Sequence, residues 1–289
     1  MLKQNDFVIT DENFSAVCFE QSRNGEAFAR GLIPRNYAAL PVGSLPYSTT
    51  FGAVQDLPLI DMADWPELIA RKVANKSQLS DYRDTGANGH PIPSLDQNGR
   101  GYCWTHSGTA AAMLLRAVGN MPYIRLSAYA IACIIKNYRD EGGWGAQGLD
   151  FIIERGVPSI KYWPEKSVSR NNDNAATWEN AAAHKIIEGF IDIDEPQYDR
   201  NLTFQQVATC LLCNVPVISD FNWWGHSVCA MDLVDVNPNL PATNRNRYGV
   251  RIWNSWADSW GTNGTGVLTG SKAVPDGATA PRAITLSDI

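Results

Sequence analysis

The spacing of apolar residues changes period part-way along this chain of 289 residues, and that change limits its architecture more than any other feature. From Cys103 onward Ala110, Met113, Leu114 and Ala117 stand at i, i+3, i+4 and i+7, with Gly119 and Pro122 as a stop, which predicts a buried helix. Ser127 precedes a second helical run with Ile131, Ile134, Ile135 and Tyr138, stopped at Gly142-Gly143. A third carries Leu149, Ile152 and Ile153 and ends at Gly156 and Pro158. Asp64 and Glu67 have the spacing of a capping box ahead of a short amphipathic helix through Leu68, Ile69 and Val73, and Thr203 and Gln206 have it ahead of Val207, Cys210 and Leu211. After that point the runs Val215 to Phe221, Ser227 to Val236, Tyr248 to Trp253 and Gly266 to Leu268 are short, β-rich and bounded by Asn, Pro and Gly clusters. A helical half to about residue 165 followed by an antiparallel β half predicts an α+β fold of two lobes, with a site in the groove between them.

Charge and cysteine usage narrow the function classes. A net charge of −6 and a pI near 5.2 give no basic footprint for phosphates, so no nucleic acid is expected as a partner. The start, Met1 to Asp6, leads into no apolar run of signal-peptide length, and no stretch is long enough to span a membrane. The matches to glycosylation acceptors at Asn13, Asn201 and Asn263 are accordingly read as chance. Cys18, Cys103, Cys133, Cys210, Cys213 and Cys229 are scattered through apolar segments, as expected of free thiols in a reducing, cytoplasmic compartment or a larger particle.

One cysteine is placed for chemistry. The loop Gln97-Asn98-Gly99-Arg100-Gly101-Tyr102 delivers Cys103 to the first turn of the long helix, where free N–H groups and the positive end of the dipole favour thiolate. On position alone it suits a nucleophile and a small core residue equally well. Of the four histidines, His90 lies in a polar loop and His184 in an Ala-rich stretch; His106 shares the helix of Cys103, one turn on. His226 opens a strand-like run that could hold it rigidly across a groove and is the favoured base. Its second ring nitrogen needs an acceptor, and Asn254, at the end of the Tyr248–Trp253 run, supplies a neutral one.

Gln97 to Trp104, Gly225-His226-Ser227-Val228, and Asn254-Ser255-Trp256 followed by Trp260-Gly261-Thr262-Asn263-Gly264 resemble, in chain order, the three active-site blocks of papain-like cysteine proteases. Gly142-Gly143 with the helix after it, and Pro216-Val217 entering a strand, extend the resemblance over residues 81 to 270. It implies a papain-like two-lobed fold, a helical lobe and a β-barrel-like lobe, within a domain over 57–270. It also implies that Cys103 attacks a peptide carbonyl as thiolate paired with the imidazolium of His226, which then protonates the leaving amine. Asn254 would orient His226, while Gln97 and the Cys103 N–H hold the oxyanion. Gly142, Gly143 and Trp256 would line the substrate groove, Trp256 also covering the His226 to Asn254 bond. The implied partner is a polypeptide substrate, with no cofactor and no metal.

The chain departs from the family at Arg100, where a half-cystine is usual, and at His106, where an aromatic is usual. Residues 1–56, turn-rich around Pro41, Gly43 and Pro46, are too short for the family's helical inhibitory segment. They read as a docking arm or a surface-wrapping extension, and residues 271–289 read as a C-terminal tail. Two other readings compete. Cys210, Cys213, His226 and Cys229 have spacing that imitates a zinc site, although a strand turns His226 and Cys229 to opposite faces. The domain could also serve as a protease-like module of an assembly, with its termini ordering on a partner.

Overall fold

The computed structural model describes residues 2–18, 28–86, 89–193 and 199–283. In chain order the elements are β1 (Val8–Ile9), α1 (Phe14–Cys18), β2 (Ser48–Thr50), α2 (Trp65–Ala74), α3 (Leu79–Thr85), α4 (Cys103–Val118), α5 (Ala128–Ile135), α6 (Gly145–Arg155), α7 (Ala175–Ala182), β3 (Ile187–Asp192), α8 (Arg200–Leu212), β4 (Val217–Phe221), β5 (His226–Asp235), β6 (Tyr248–Trp253), β7 (Thr265–Leu268) and β8 (Gly277–Ala283).

The helix over Cys103–Val118 is the axis of the helical part. Almost all of it is buried, because its small residues let neighbours approach from every side: a Cβ on Gly108 would lie 3.0 Å from Ile152 Cδ1 of α6. α3, α5 and α6 pack around it, and β4 and β5 lie across it, so the nucleophile's helix and the histidine's strand are in direct contact. Local signals end the elements differently from the sequence expectation in three places. α5 stops at Ile135, well before Gly142, because Asn137 and Tyr138 take left-handed φ values of 48° and 66°. Asp64 makes no cap bond; the capping box forms at Gln78 and Asp81 of α3. α8 begins at Arg200, ahead of Thr203, because the Asp199 carboxylate accepts the N–H groups of Asn201 and Leu202.

The strands form one sheet in the order β1-β7-β6-β5-β4-β8-β3-β2. The four expected runs appear as the antiparallel set β4 to β7. Residues 277–283, expected in a tail, instead form β8, an interior strand between β4 and β3. Alanines and Pro281 give it a weak strand pattern. Pro281 pairs with Phe190 beyond the part of β8 that β4 reaches, where a missing N–H is tolerated.

Two short strands of the N-terminal segment, β1 and β2, close the two edges of this sheet. β1 pairs in parallel with β7, and β2 in parallel with β3. The buried Arg251 holds Asp6 with two bonds of 2.6 and 2.9 Å, and Arg35 holds Asp192 with two of 2.8 Å. The N-terminal segment therefore wraps the body, and part of it crosses the groove described next.

Candidate active site

The loop before α4 is fixed from both sides. Gln97 N–H donates to Ser255 O at 2.9 Å, Tyr129 Oη donates to Gln97 O at 2.8 Å, and Asn98 and Gly99 turn the chain with φ of 46° and 75°. Ser255 Oγ donates to Gln97 Oε1 at 2.6 Å, which fixes the amide so that Nε2 faces the groove. Where the family's half-cystine would stand, Arg100 lies 3.7 Å from Asp140, and Gly101 N–H donates to the same carboxylate at 2.8 Å. These contacts join the nucleophile loop to the Gly142-Gly143 loop without a disulfide. The five cysteines whose side chains are described are free.

Cys103 is the first residue of α4 and is fully buried, with the backbone N–H groups of Ser227, Gly31 and Trp104 around its sulfur. His226 is the first residue of β5, also fully buried; its Nε2 lies 2.7 Å from Asn254 Oδ1, and its Nδ1 has no hydrogen-bond partner. Asn254 is oriented in turn: its N–H donates to Gly264 O, and its Oδ1 also accepts the Ser255 N–H at 2.7 Å. The Trp256 ring lies over the imidazole, centroids 4.5 Å apart, and Trp224 meets it from another side at 4.9 Å. The structure thus brings Gln97, Cys103, His226, Asn254 and Trp256 to one place. His106 is used otherwise: its Nδ1 bonds Tyr102 O at 2.7 Å within its own helix, and its ring packs edge-on to Tyr129. Among the described residues no three His, Cys, Asp or Glu side chains are grouped to hold a metal. None of the helices described is long and apolar enough to cross a membrane.

No family model matches the chain. A curated relative, zingipain-1 of Zingiber officinale, is 24% identical over 200 residues, 64% of this chain and 83% of that protein. Xylellain, a cysteine protease from Xylella fastidiosa, superposes with a TM-score of 0.55 at 16% identity, over 89% of this chain and 97% of that one. The digestive procathepsin L2 proteinase of Tenebrio molitor larval midgut gives 0.56 at 17%, over 88% and 78%. The chain has the papain-like fold. The five residues above converge within that fold, in a chain whose sequence is similar to zingipain-1.

The chain's own residues 28–35 lie in this papain-like groove, as part of an N-terminal segment without the family's long helical inhibitory form. Gly143 N–H donates to Gly31 O at 2.9 Å and Ile33 N–H to Gly143 O at 2.8 Å, a parallel bridge centred on Leu32. Leu32 N–H reaches Gly225 O, Gln97 Nε2 donates to Ala29 O at 2.8 Å, and Trp256 Nε1 donates to the same oxygen at 3.2 Å. Phe28 stacks on Trp256 at 4.5 Å. The glycines permit this approach, since a Cβ on Gly142 would fall 2.4 Å from Gly31 O and one on Gly143 2.6 Å from the Trp104 ring. No sequence signal marked this strap, because its pairing partner lies more than a hundred residues away.

Burial dominates the electrostatics of the site. Burial pushes the Cys103 thiol up to about 12, against the pull of its three backbone N–H neighbours. Burial likewise pushes His226 down to about 3, against its bond to Asn254. In this closed arrangement desolvation by burial opposes the thiolate that the helix N-terminus favours, and opposes the imidazolium as well.

Proposed function

We propose that this chain is a cysteine-type endopeptidase in which Cys103 is the nucleophile, His226 the acid and base, Asn254 its orienting partner and Gln97 an oxyanion donor. The observation that supports it best is the imidazole: Nε2 is committed to Asn254, while Nδ1 is left without a partner on a strand packed against the helix that carries the thiol.

Once the strap leaves and a peptide takes its place, Cys103 transfers its proton to His226 Nδ1 and attacks the carbonyl carbon. The developing oxyanion is held by Gln97 Nε2, which in the closed arrangement donates to the carbonyl oxygens of Ala29 and Arg100, and by the N–H of Cys103. Collapse expels the amine, which takes the proton from His226, and a thioester to Cys103 remains. His226 then activates water to hydrolyse it. Trp256 keeps water away from the His226 to Asn254 bond, so the ring turns as a unit with its partner. The strap across the groove and the full burial of the thiol favour a second reading, a silenced protease-like module.

Incubation with a mixed peptide library, read by mass spectrometry, separates the two. The enzyme reading predicts new termini that vanish in Cys103→Ala; an unchanged library after the strap has been displaced by Gly31→Ala contradicts it.

A further inference from the structure

The strap does more than lie across the thiol: it fills a pocket beside the glycine loop with an arginine. Arg35 and Tyr37 cover a nearly filled cavity of about 10 Å³ whose other walls are Trp144, Ala146, Ile218, Asp220 and Thr279. The sheet register puts the acids there. Asp192 pairs with Thr279 and Thr279 with Ile218, so these three stand in one row. Asp220 follows two residues along β4 on the same face, opposite Gly277. Asp192 is taken by the Arg35 fork, whose remaining donors meet Leu40 O and Pro41 O.

Asp220 is not taken. It is 9% exposed, its Oδ2 accepts the Gly145 N–H at 2.9 Å, and its Oδ1 is buried with no hydrogen-bond partner. The Ser227 hydroxyl lies close enough to favour the charge but is itself paired with Ser107 Oγ at 2.9 Å. A third carboxylate, Asp150, feels both Arg35 and Asp192, and its Oδ1 is likewise buried without a partner. A buried acceptor left unpaired costs free energy, and three acids around one guanidinium leave capacity for a cation when that guanidinium withdraws.

We propose that the pocket beside Gly143 selects a basic side chain, arginine or lysine, of the bound peptide, and that Arg35 is its resident occupant. This rests on the peptidase reading only in taking Gly143 as the wall on which the peptide lies.

The test uses the full chain carrying Cys103→Ala, Gly31→Ala to lift the strap from Gly143, and Arg35→Ala, with Arg35→Gln as a milder opening should the first fail to fold. Binding of two fluorescent hexapeptides that differ only in one arginine or norleucine, scanned through the positions, is followed by anisotropy. At one position the arginine peptide binds about tenfold tighter or more, the scale of one charge-assisted hydrogen bond, and adding Asp220→Asn collapses that ratio towards one. Equal binding of the two series at every position, or no binding of either, overturns the proposal. Alkylation of Cys103 in the otherwise native chain reports separately on the peptidase reading, so one can fail without the other.

Discussion

Replacing Gly31 by alanine puts the closed groove under direct test. A Cβ there would lie 1.9 Å from Gly101 O and 2.3 Å from its carbonyl carbon, backbone against backbone, so no rotamer relieves the clash and the strap must lift. Lifting it at this point breaks the three backbone bonds around Gly31–Ile33, to Gly143 twice and to Gly225 once. At about 1 kcal/mol net each, that shifts the closed-to-open balance by about 3 kcal/mol, roughly a hundredfold. The flanks stay fixed by Asp6 on Arg251 and Arg35 on Asp192, so the body should keep its fold. The assay is the second-order rate of Cys103 alkylation by iodoacetamide at pH 7, with the adduct located by peptide mass and the fold monitored by circular dichroism. The expected result is a rise of tenfold to a hundredfold in a folded protein, with the other buried cysteines unchanged. An unchanged rate would refute the argument that the strap, rather than the body of the fold, shields the thiol.

Three further outcomes follow from the same geometry. His106→Phe leaves turnover standing at a cost of about 1 kcal/mol in stability, since it removes one bond to a carbonyl that backbone donors still satisfy, whereas His226→Ala abolishes turnover; steady-state rates and thermal melts check both. Gln97→Ala lowers turnover about a hundredfold while changing the alkylation rate little, because an oxyanion donor acts on acyl transfer and not on displacement at an alkyl halide. Stability should also depend on pH in a signed way. His226, held down to about 3, contributes stability that is present above its ordinary value of 6.5 and lost as pH falls towards 3. Asp220, pushed up by burial to about 6, acts in the opposite sense: its contribution is present below 3.8 and lost as pH rises through 6. Asp220→Asn should therefore gain stability relative to the native chain between pH 3.5 and 8, by on the order of 2–3 kcal/mol, read from melts at the two pH values.

What was legible in the sequence is what local pattern and spacing carry. Ala110, Met113, Leu114 and Ala117 mark α4 because a buried helix repeats every 3.6 residues, and Cys103, His226 and Asn254 stand out because each opens or closes an element. The parts that escaped depend on distant partners. β8 is Gly-Ala-Thr-Ala-Pro with no alternation, and becomes a strand only because β4 and β3 flank it. Phe28 to Arg35 is a short mixed run with no period, and nothing within it points to Gly143 or Asp192. Asp220 sits in an apolar strand run, and its burial against Gly145 follows from how β4 meets the start of α6. The thiol's burial escaped for the same reason: the helix end is written locally, whereas the desolvation that opposes it comes from packing between distant segments.

The central claim, that Cys103 and His226 form a working pair, is tested most directly by the pH dependence of Cys103 alkylation in the Gly31→Ala protein, with and without His226→Ala. A poised pair predicts selective labelling of Cys103 well below pH 8, with the low-pH limb lost when the histidine is removed. Slow labelling that rises only above pH 8, alike in both proteins, would contradict it.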